Sequence, residues 1–414
     1  MQSNQAGFMS KAMNLFRVQG FPALIFVNIL LGISFSFVLP FTSLFGIDEV
    51  EMTNTSFGVF MTVSTIANVI VSTYVGKISD GNFSRRTVIL ICTVSAAIGY
   101  TGYAFVRDYY ALLAISSIVL GVASSSFGQV FAYARVALSR SGLSEQDTPF
   151  YMNLFRMFFA LSWTVGPAIG SFILIKHGFK GLFLSAVIMY VLVIAAVLLF
   201  MKNDEEERQS RQPKAVLAPP VPLGKLILRP HIFVNLVAFT FVAAATTIGS
   251  LNMSQFLTKV MHSGEGQIGI AFSIPPVFEI PFMLMFGIIA TKIDNRILIR
   301  LGVLFGFLYF ALLYLSTNEW EIYLIQILSA AMVSITQGIA LTYFQNFIPD
   351  MPGTATTLYM NTGKVGSMIA FLIFGFTAEL YGYRSVYLVC TVLVAISLVL
   401  LWVVGKREVR EAAS

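Results

Sequence analysis

Charge is scarce in this chain. Asp, Glu, Lys and Arg make up 11% of its 414 residues, against 57% hydrophobic, whereas soluble domains carry about 25% charged residues. Water is therefore the wrong solvent for most of the chain, and no stretch leaves room for a soluble domain. Cysteine is nearly absent. Cys92 and Cys390 both lie inside apolar runs, which excludes a disulfide framework and a metal knuckle. Histidine is almost as rare, and His177, His231 and His262 fall at the ends of apolar runs. Neither a deep His/Asp set nor a metal cluster is left for an intramembrane enzyme, so no enzyme activity and no cofactor are expected. Basic residues outnumber acidic ones 26 to 20. In a soluble protein that excess points to nucleic acid; here an asymmetry between loops accounts for it, and no nucleic-acid partner is expected. The first twenty residues are not followed by a short apolar core and a small-residue cleavage site. No removable signal peptide is expected, and the first span does the targeting.

Long apolar runs are what the chain has in abundance. A membrane helix needs roughly 20 apolar residues. Twelve such runs fall near residues 21–46, 56–78, 87–106, 110–134, 154–175, 181–201, 231–256, 267–290, 297–316, 322–346, 355–378 and 385–404. Between the sixth and seventh lies the most polar and proline-rich stretch, close to the midpoint. The expected architecture is an all-α membrane protein of twelve transmembrane helices in two pseudo-symmetric six-helix bundles. Its N-terminal bundle would span 1–201, a cytoplasmic linker 202–229 and the C-terminal bundle 230–414. Lys and Arg fix the orientation. With the N-terminus in the cytoplasm, eighteen of them face inside and five outside, and Arg135, Arg156 and Lys364 lie in or at the edge of spans. Both termini are expected inside a cytoplasmic (inner) membrane.

Three sequence features carry a family likeness. The loop Gly76-Lys77-Ile78-Ser79-Asp80-Gly81-Asn82-Phe83-Ser84-Arg85-Arg86 resembles the major facilitator signature G-x-x-x-D-x-x-G-x-[RK]-[RK], with its second glycine displaced and its basic pair one place late. Gly76 would let two helices approach, and Asp80 would pair with a basic group or a helix N-terminus as a gating latch. A weaker copy, Gly287 to Arg296, follows 211 residues later with Thr291 at the acid's position, which suits two related halves. In the fifth span, Gly166-Pro167-Ala168-Ile169-Gly170 resembles the motif of major facilitator exporters that exchange substrate for protons. Its glycines permit close packing and its proline lets the helix bend. More narrowly, Gln129 to Arg135, Arg156 ahead of Ser162 to Pro167, Glu279-Ile280-Pro281, and Phe344-Gln345 through Ala355 to Leu358 and Asn361 resemble the bacterial sugar efflux transporters. Lys364 stands where that family has a small polar residue. The resemblance implies the major facilitator fold and alternating access to a small-molecule site.

Polar groups inside spans are the candidate machinery, because a charge at the bilayer centre costs at least ~2.5 kcal/mol. Glu279 is the one acid placed deep in a span, on a segment interrupted by Pro275, Pro276 and Pro281, and is the candidate proton carrier. Candidate substrate groups are Gln129, Arg135, Arg156, Asn252, Gln255, Gln337, Gln345, Asn361 and Lys364. Amides both donate and accept, as sugar hydroxyls require, although amides also join helices. Trp163, Tyr133, Tyr343 and Tyr359 offer ring faces to a sugar. The reading that follows is a proton-coupled exporter of sugars or glycosides acting as a monomer in the bilayer. A proton-coupled multidrug exporter is the alternative, and the 38 phenylalanines leave it open.

Overall fold

Apolar runs become helices because the hydrocarbon core offers no water to a backbone amide, so every N–H must be satisfied within its own segment. In a computed structural model that describes residues 15, 16, 18, 20–80, 83–141, 148–201, 226–348 and 351–411, the chain is all-helical, with no strand among the described residues. Among those residues, ten helical stretches are long and apolar enough to cross a membrane. Two of them are pairs, so the helices number twelve. We label them α1 Phe21–Glu49, α2 Asn54–Asp80, α3 Arg85–Phe105 and α4 Tyr109–Arg140. Next come α5 (148–177) and α6 (179–200), one stretch broken at Gly178, whose φ of +63° turns the chain. Then follow α7 Pro230–Val260, α8 Glu265–Ile289, α9 Asn295–Leu315 and α10 Glu319–Phe347. Finally, α11 (352–381) and α12 (383–411) are divided at Gly382, φ +75°. Only glycine adopts such backbone without a Cβ clash. Most of the expected linker, residues 202–225, lies outside the described residues.

The chain packs into two compact units. One comprises Met1–Leu39 with Val63–Lys214, the other Pro40–Thr62 with Ala215–Ser414. The tips of α1 and α2 therefore pack with the second unit, although they are covalently part of the first half.

Local geometry repeats between the halves. Helix α1 widens into a π-turn at Phe45–Glu49 and α7 into another at Phe256–Val260, 211 residues on. Each is followed by a non-glycine residue in the left-handed region, Glu51 at φ 60° and His262 at φ 56°. The closing backbone bonds also match: Val50 N to Phe45 O and Met52 N to Gly46 O in the first, Met261 N to Phe256 O and Ser263 N to Leu257 O in the second. Two segments of unlike sequence thus end their leading helices in one way.

Lipid is as apolar as leucine, so helices in a bilayer join through close approach and hydrogen bonds rather than through expulsion of water. In the first unit α1 crosses the α5–α6 stretch at Gly32 and Ser36 facing Ser162 and Gly166. A methyl built on Gly32 would lie 2.6 Å from Ser162 Oγ, and one on Gly166 would collide with Ser36 Oγ. Ser162 Oγ donates to Ile29 O at 3.1 Å, Ser36 Oγ to Ser162 O at 3.3 Å and Asn28 Nδ2 to Phe155 O at 2.7 Å. The second unit crosses α7 on α11 likewise. A methyl on Gly366 would lie 2.7 Å from Thr240 O and 2.8 Å from Ala243 Cβ, and Thr247 and Ser367 share a 3.1 Å hydroxyl bond.

Candidate substrate site

The second unit holds a cavity of about 280 Å³ between α7, α10 and α11, near the lower end of the ~300–1,000 Å³ range of small-ligand sites. Helix α10 runs past it without a break, since Ile339 N bonds Ile335 O and Tyr343 N bonds Ile339 O, both at 3.0 Å. On its wall, Thr336 O accepts the Tyr359 hydroxyl at 2.9 Å. That bond holds the Tyr359 ring against Phe239, edge to face at 5.8 Å and 84°.

The lining has one consistent chemistry. Phe239, Val242, Ala243, Tyr359, Met360 and Gly363 give apolar surface; Thr246, Thr247, Thr336, Gln337, Thr362 and Ser367 give polar atoms. None is charged. Thr246, Thr336 and Thr362 each spend their hydroxyl hydrogen on their own helix, on Val242 O, Met332 O and Tyr359 O at 2.8, 2.7 and 2.7 Å. What they present to the cavity is oxygen lone pairs. Gln337, exposed on this wall, adds a group that both donates and accepts. A ligand that fits is neutral, brings several hydroxyl donors and has an apolar face to lay on a ring.

Of the residues singled out in the sequence, Gln337 and Tyr359 line this cavity. Asn361 and Lys364 sit on the same helix α11 as exposed side chains, outside the lining. Gln345 donates to Thr356 Oγ1 at 3.1 Å. Asn252 and Gln255 are fully buried and bind elsewhere: Asn252 Nδ2 donates to Tyr383 O at 2.9 Å, Gln255 Nε2 to Ser43 O and Asp48 Oδ2, both at 3.3 Å. Glu279 is half-buried on α8 among its three prolines, and its backbone carbonyl accepts Ser334 Oγ at 3.1 Å.

In the first unit, Gln129 Oε1 accepts Ser79 Oγ at 2.6 Å and joins α4 to α2, while Arg135 and Arg156 are exposed on α4 and α5. Gly166 and Pro167 are buried at the α1 crossing and Gly170 is buried one turn on. Gly76 has open space where a Cβ would stand, so it makes no close helix approach. Arg86 donates to Val197 O at 3.3 Å and Leu198 O at 2.9 Å, the carbonyl-rich end of α6. Arg85 begins α3, which Ser84 caps by accepting from Thr87 N. The Asp80 side chain and residues 81–82 lie outside the described residues. In the weaker copy, Asp294 caps α9 by accepting from Arg296 N at 2.8 Å.

The sequence reading missed the threonines and Ser367. A hydroxyl that bonds its own helix is ordinary in an apolar span, so type and spacing do not flag it. The signal available was the cluster Thr246-Thr247 on α7 facing Thr362 and Ser367 on α11. Among the described residues no three His, Cys, Asp or Glu side chains are placed to hold a metal.

Comparison with known proteins agrees with this architecture. The profile of the Major Facilitator Superfamily matches residues 24–370 and 236–414. A protein of Deinococcus radiodurans provisionally named a sugar efflux transporter is 32% identical over 88% of this chain and 92% of its own length. Sugar efflux transporter A of Dickeya chrysanthemi is 28% identical over 92% and 94%. Among solved structures, the nucleoside transporter NupG superposes with a TM-score of 0.77 at 16% identity, covering 93% of this chain and 98% of that one; at that identity the likeness is one of fold. Twelve apolar helices and a profile match over most of the length lead to one assignment: the chain belongs to the Major Facilitator Superfamily, as a multi-pass membrane transporter of small molecules and not an enzyme.

Proposed function

We propose that the chain is a proton-coupled exporter of small neutral sugars or glycosides, placed in the cytoplasmic membrane with both termini inside. The observation that carries this reading is the uncharged, acceptor-rich cavity around Thr246, Thr336, Gln337 and Thr362 with Phe239 and Tyr359 on its wall. A polyhydroxyl ligand satisfies those lone pairs with its own donors and lays its C–H face on a ring. A cationic drug finds no counter-charge on that lining. The sugar efflux names of the two relatives support the same class.

Transport runs by alternating access, with the α1–α5 crossing at Gly166, Pro167 and Gly170 and the loop from Gly76 through Asp80 to Arg85 and Arg86 serving as gating elements. Glu279 carries the proton. A tenfold uphill gradient of neutral substrate costs about 1.4 kcal/mol. One proton entering down ~100 mV releases about 2.3 kcal/mol, and one pH unit adds about 1.4. A single titrating carboxylate therefore suffices. Arg135, Arg156, Asn361 and Lys364 stay as candidate contacts at other stages of the cycle.

The test is a panel of sugars, glycosides and cationic drugs, scored first by thermal stabilisation of the purified protein and then by flux into proteoliposomes under an imposed pH difference. Stabilisation and gradient-driven flux are expected for neutral polyols. A response confined to the cationic drugs would replace the sugar reading with the drug reading.

A further inference from the structure

Hydrogens to donate, unlike oxygen lone pairs, are scarce on the wall of the cavity between α7, α10 and α11. A hydroxyl has one hydrogen to give and two lone pairs to offer. Thr246, Thr336 and Thr362 give theirs to Val242 O, Met332 O and Tyr359 O, and Tyr359 gives its own to Thr336 O. Thr247 and Ser367, which line the same cavity, differ. Their oxygens lie 3.1 Å apart, so the two hydroxyls share one bond. Whichever donates, the other keeps its hydrogen. Among the described residues neither hydroxyl has a second partner.

Packing sets the place of this pair. Gly366 has no side chain to hold α11 off α7, and Ser367, the next residue, is thereby brought within reach of Thr247. The first unit shows what the cavity changes. Ser36 precedes Thr247 by 211 residues, the spacing of the two π-turns, and it too lies where a glycine, Gly166, brings two helices together. Its side chain is fully buried, and its hydroxyl donates to Ile33 O at 3.0 Å and Ser162 O at 3.3 Å. There the hydroxyl serves the joint. At Thr247 the equivalent hydroxyl is half-buried on a cavity wall and, with Ser367, has a hydrogen to spare.

We propose that the Thr247–Ser367 pair is the specificity-determining donor of the cavity, and that it recognises an acceptor with no hydrogen of its own, the ring oxygen of a pyranoside. A sugar's hydroxyls match the lone pairs of Thr246, Thr336 and Thr362. Its ring oxygen can only accept; against those threonines it would set oxygen on oxygen, and against the pair it finds a hydrogen. Gln337 also donates, but from a longer, exposed side chain with more rotamers to lose, whereas each hydroxyl of the pair is held by the other. The pair therefore separates a sugar from a carbocycle of identical hydroxyl pattern, in which a CH2 would strand the donor.

The pair's role rests on a sugar being the substrate, and the test distinguishes the two. Methyl β-glucoside and methyl β-galactoside, each with the carba analogue whose ring oxygen is a CH2, are titrated into the purified full chain with thermal stabilisation as the readout. The parent chain should prefer each glycoside to its analogue by about tenfold, the effect of a donor left unmet. Thr247→Val/Ser367→Ala should bring that ratio to within about twofold of unity. Thr336→Val, which removes a hydroxyl whose hydrogen is already spent, should weaken glycoside and analogue alike and keep the ratio. A purely structural role for the pair would also weaken both alike. Equal affinities in the parent chain, or a preference that survives the double variant, would overturn the donor and leave the sugar reading standing. If none of the four compounds binds the parent chain, the sugar reading falls and the donor with it.

Discussion

At the scale of single residues, the cavity works through atoms that are already half satisfied. Tyr359 is the clearest case, since its hydroxyl is spent on Thr336 O and it lines the cavity beside Phe239. Removing the hydroxyl keeps the ring and frees it to turn. Tyr359→Phe should therefore weaken binding of the most stabilising sugar by about fivefold, the effect of one hydrogen bond of about 1 kcal/mol, with expression unchanged. Titration of the purified variant measures it, and parental affinity would mean that the ring is held by Phe239 alone. Glu279 is a different kind of residue, half-buried on a helix with three prolines. Glu279→Gln, a mimic of the protonated acid, should still bind and exchange substrate but should not concentrate it against a gradient. Proton-driven uphill transport by that variant would move coupling to another group. Glu279 was legible because a lone acid in an apolar run is conspicuous in any sequence. The threonines were not, because their hydrogen bonds to their own helices hide them among ordinary helix residues.

At the scale of helices, the α1–α5 crossing shows what the Gly-Pro motif does mechanically. Ser36 fills the space that a side chain at position 166 would need, and Ser162 bridges to Ile29 O. Gly166→Ala forces the helices apart, so a loss of about 1–3 kcal/mol is expected from overpacking, read as a lower apparent melting temperature. Adding Ser36→Gly should restore at least half of that loss; no restoration would place the strain at another contact. Helix limits were legible to a few residues, since the run expected at 56–78 is Asn54–Asp80 and that at 297–316 is Asn295–Leu315. The bond from the Tyr359 hydroxyl to Thr336 O was not, because it joins two helices and no local pattern marks it. Likewise Gln129, a candidate ligand by type, spends its carbonyl on Ser79, a partnership between residues 50 positions apart that no local pattern reveals.

At the scale of the whole molecule, the charge asymmetry makes a direct statement about topology. Single cysteines at Asn318, in the α9–α10 turn, and at Lys292, in the α8–α9 turn, are both on exposed positions. An impermeant thiol reagent on intact cells should label the first and not the second. The opposite pattern would invert the proposed membrane orientation. The sequence by itself determined the solvent, the number of spans and the relation between halves, because each depends on local sums: apolar length per segment, Lys and Arg per loop, and a motif echoed 211 residues later. The tertiary structure alone decided which polar groups meet. Asn252 and Gln255, candidate ligands by type, are buried with their amide nitrogens on Tyr383 O and on the tip of α1 respectively, and Asp48 and Lys259, in segments of unlike sequence, form an ion pair at equivalent positions of the repeat. Whether a buried amide binds a substrate or a neighbouring backbone depends on which helix face approaches it, and that is fixed by packing between segments two hundred residues apart.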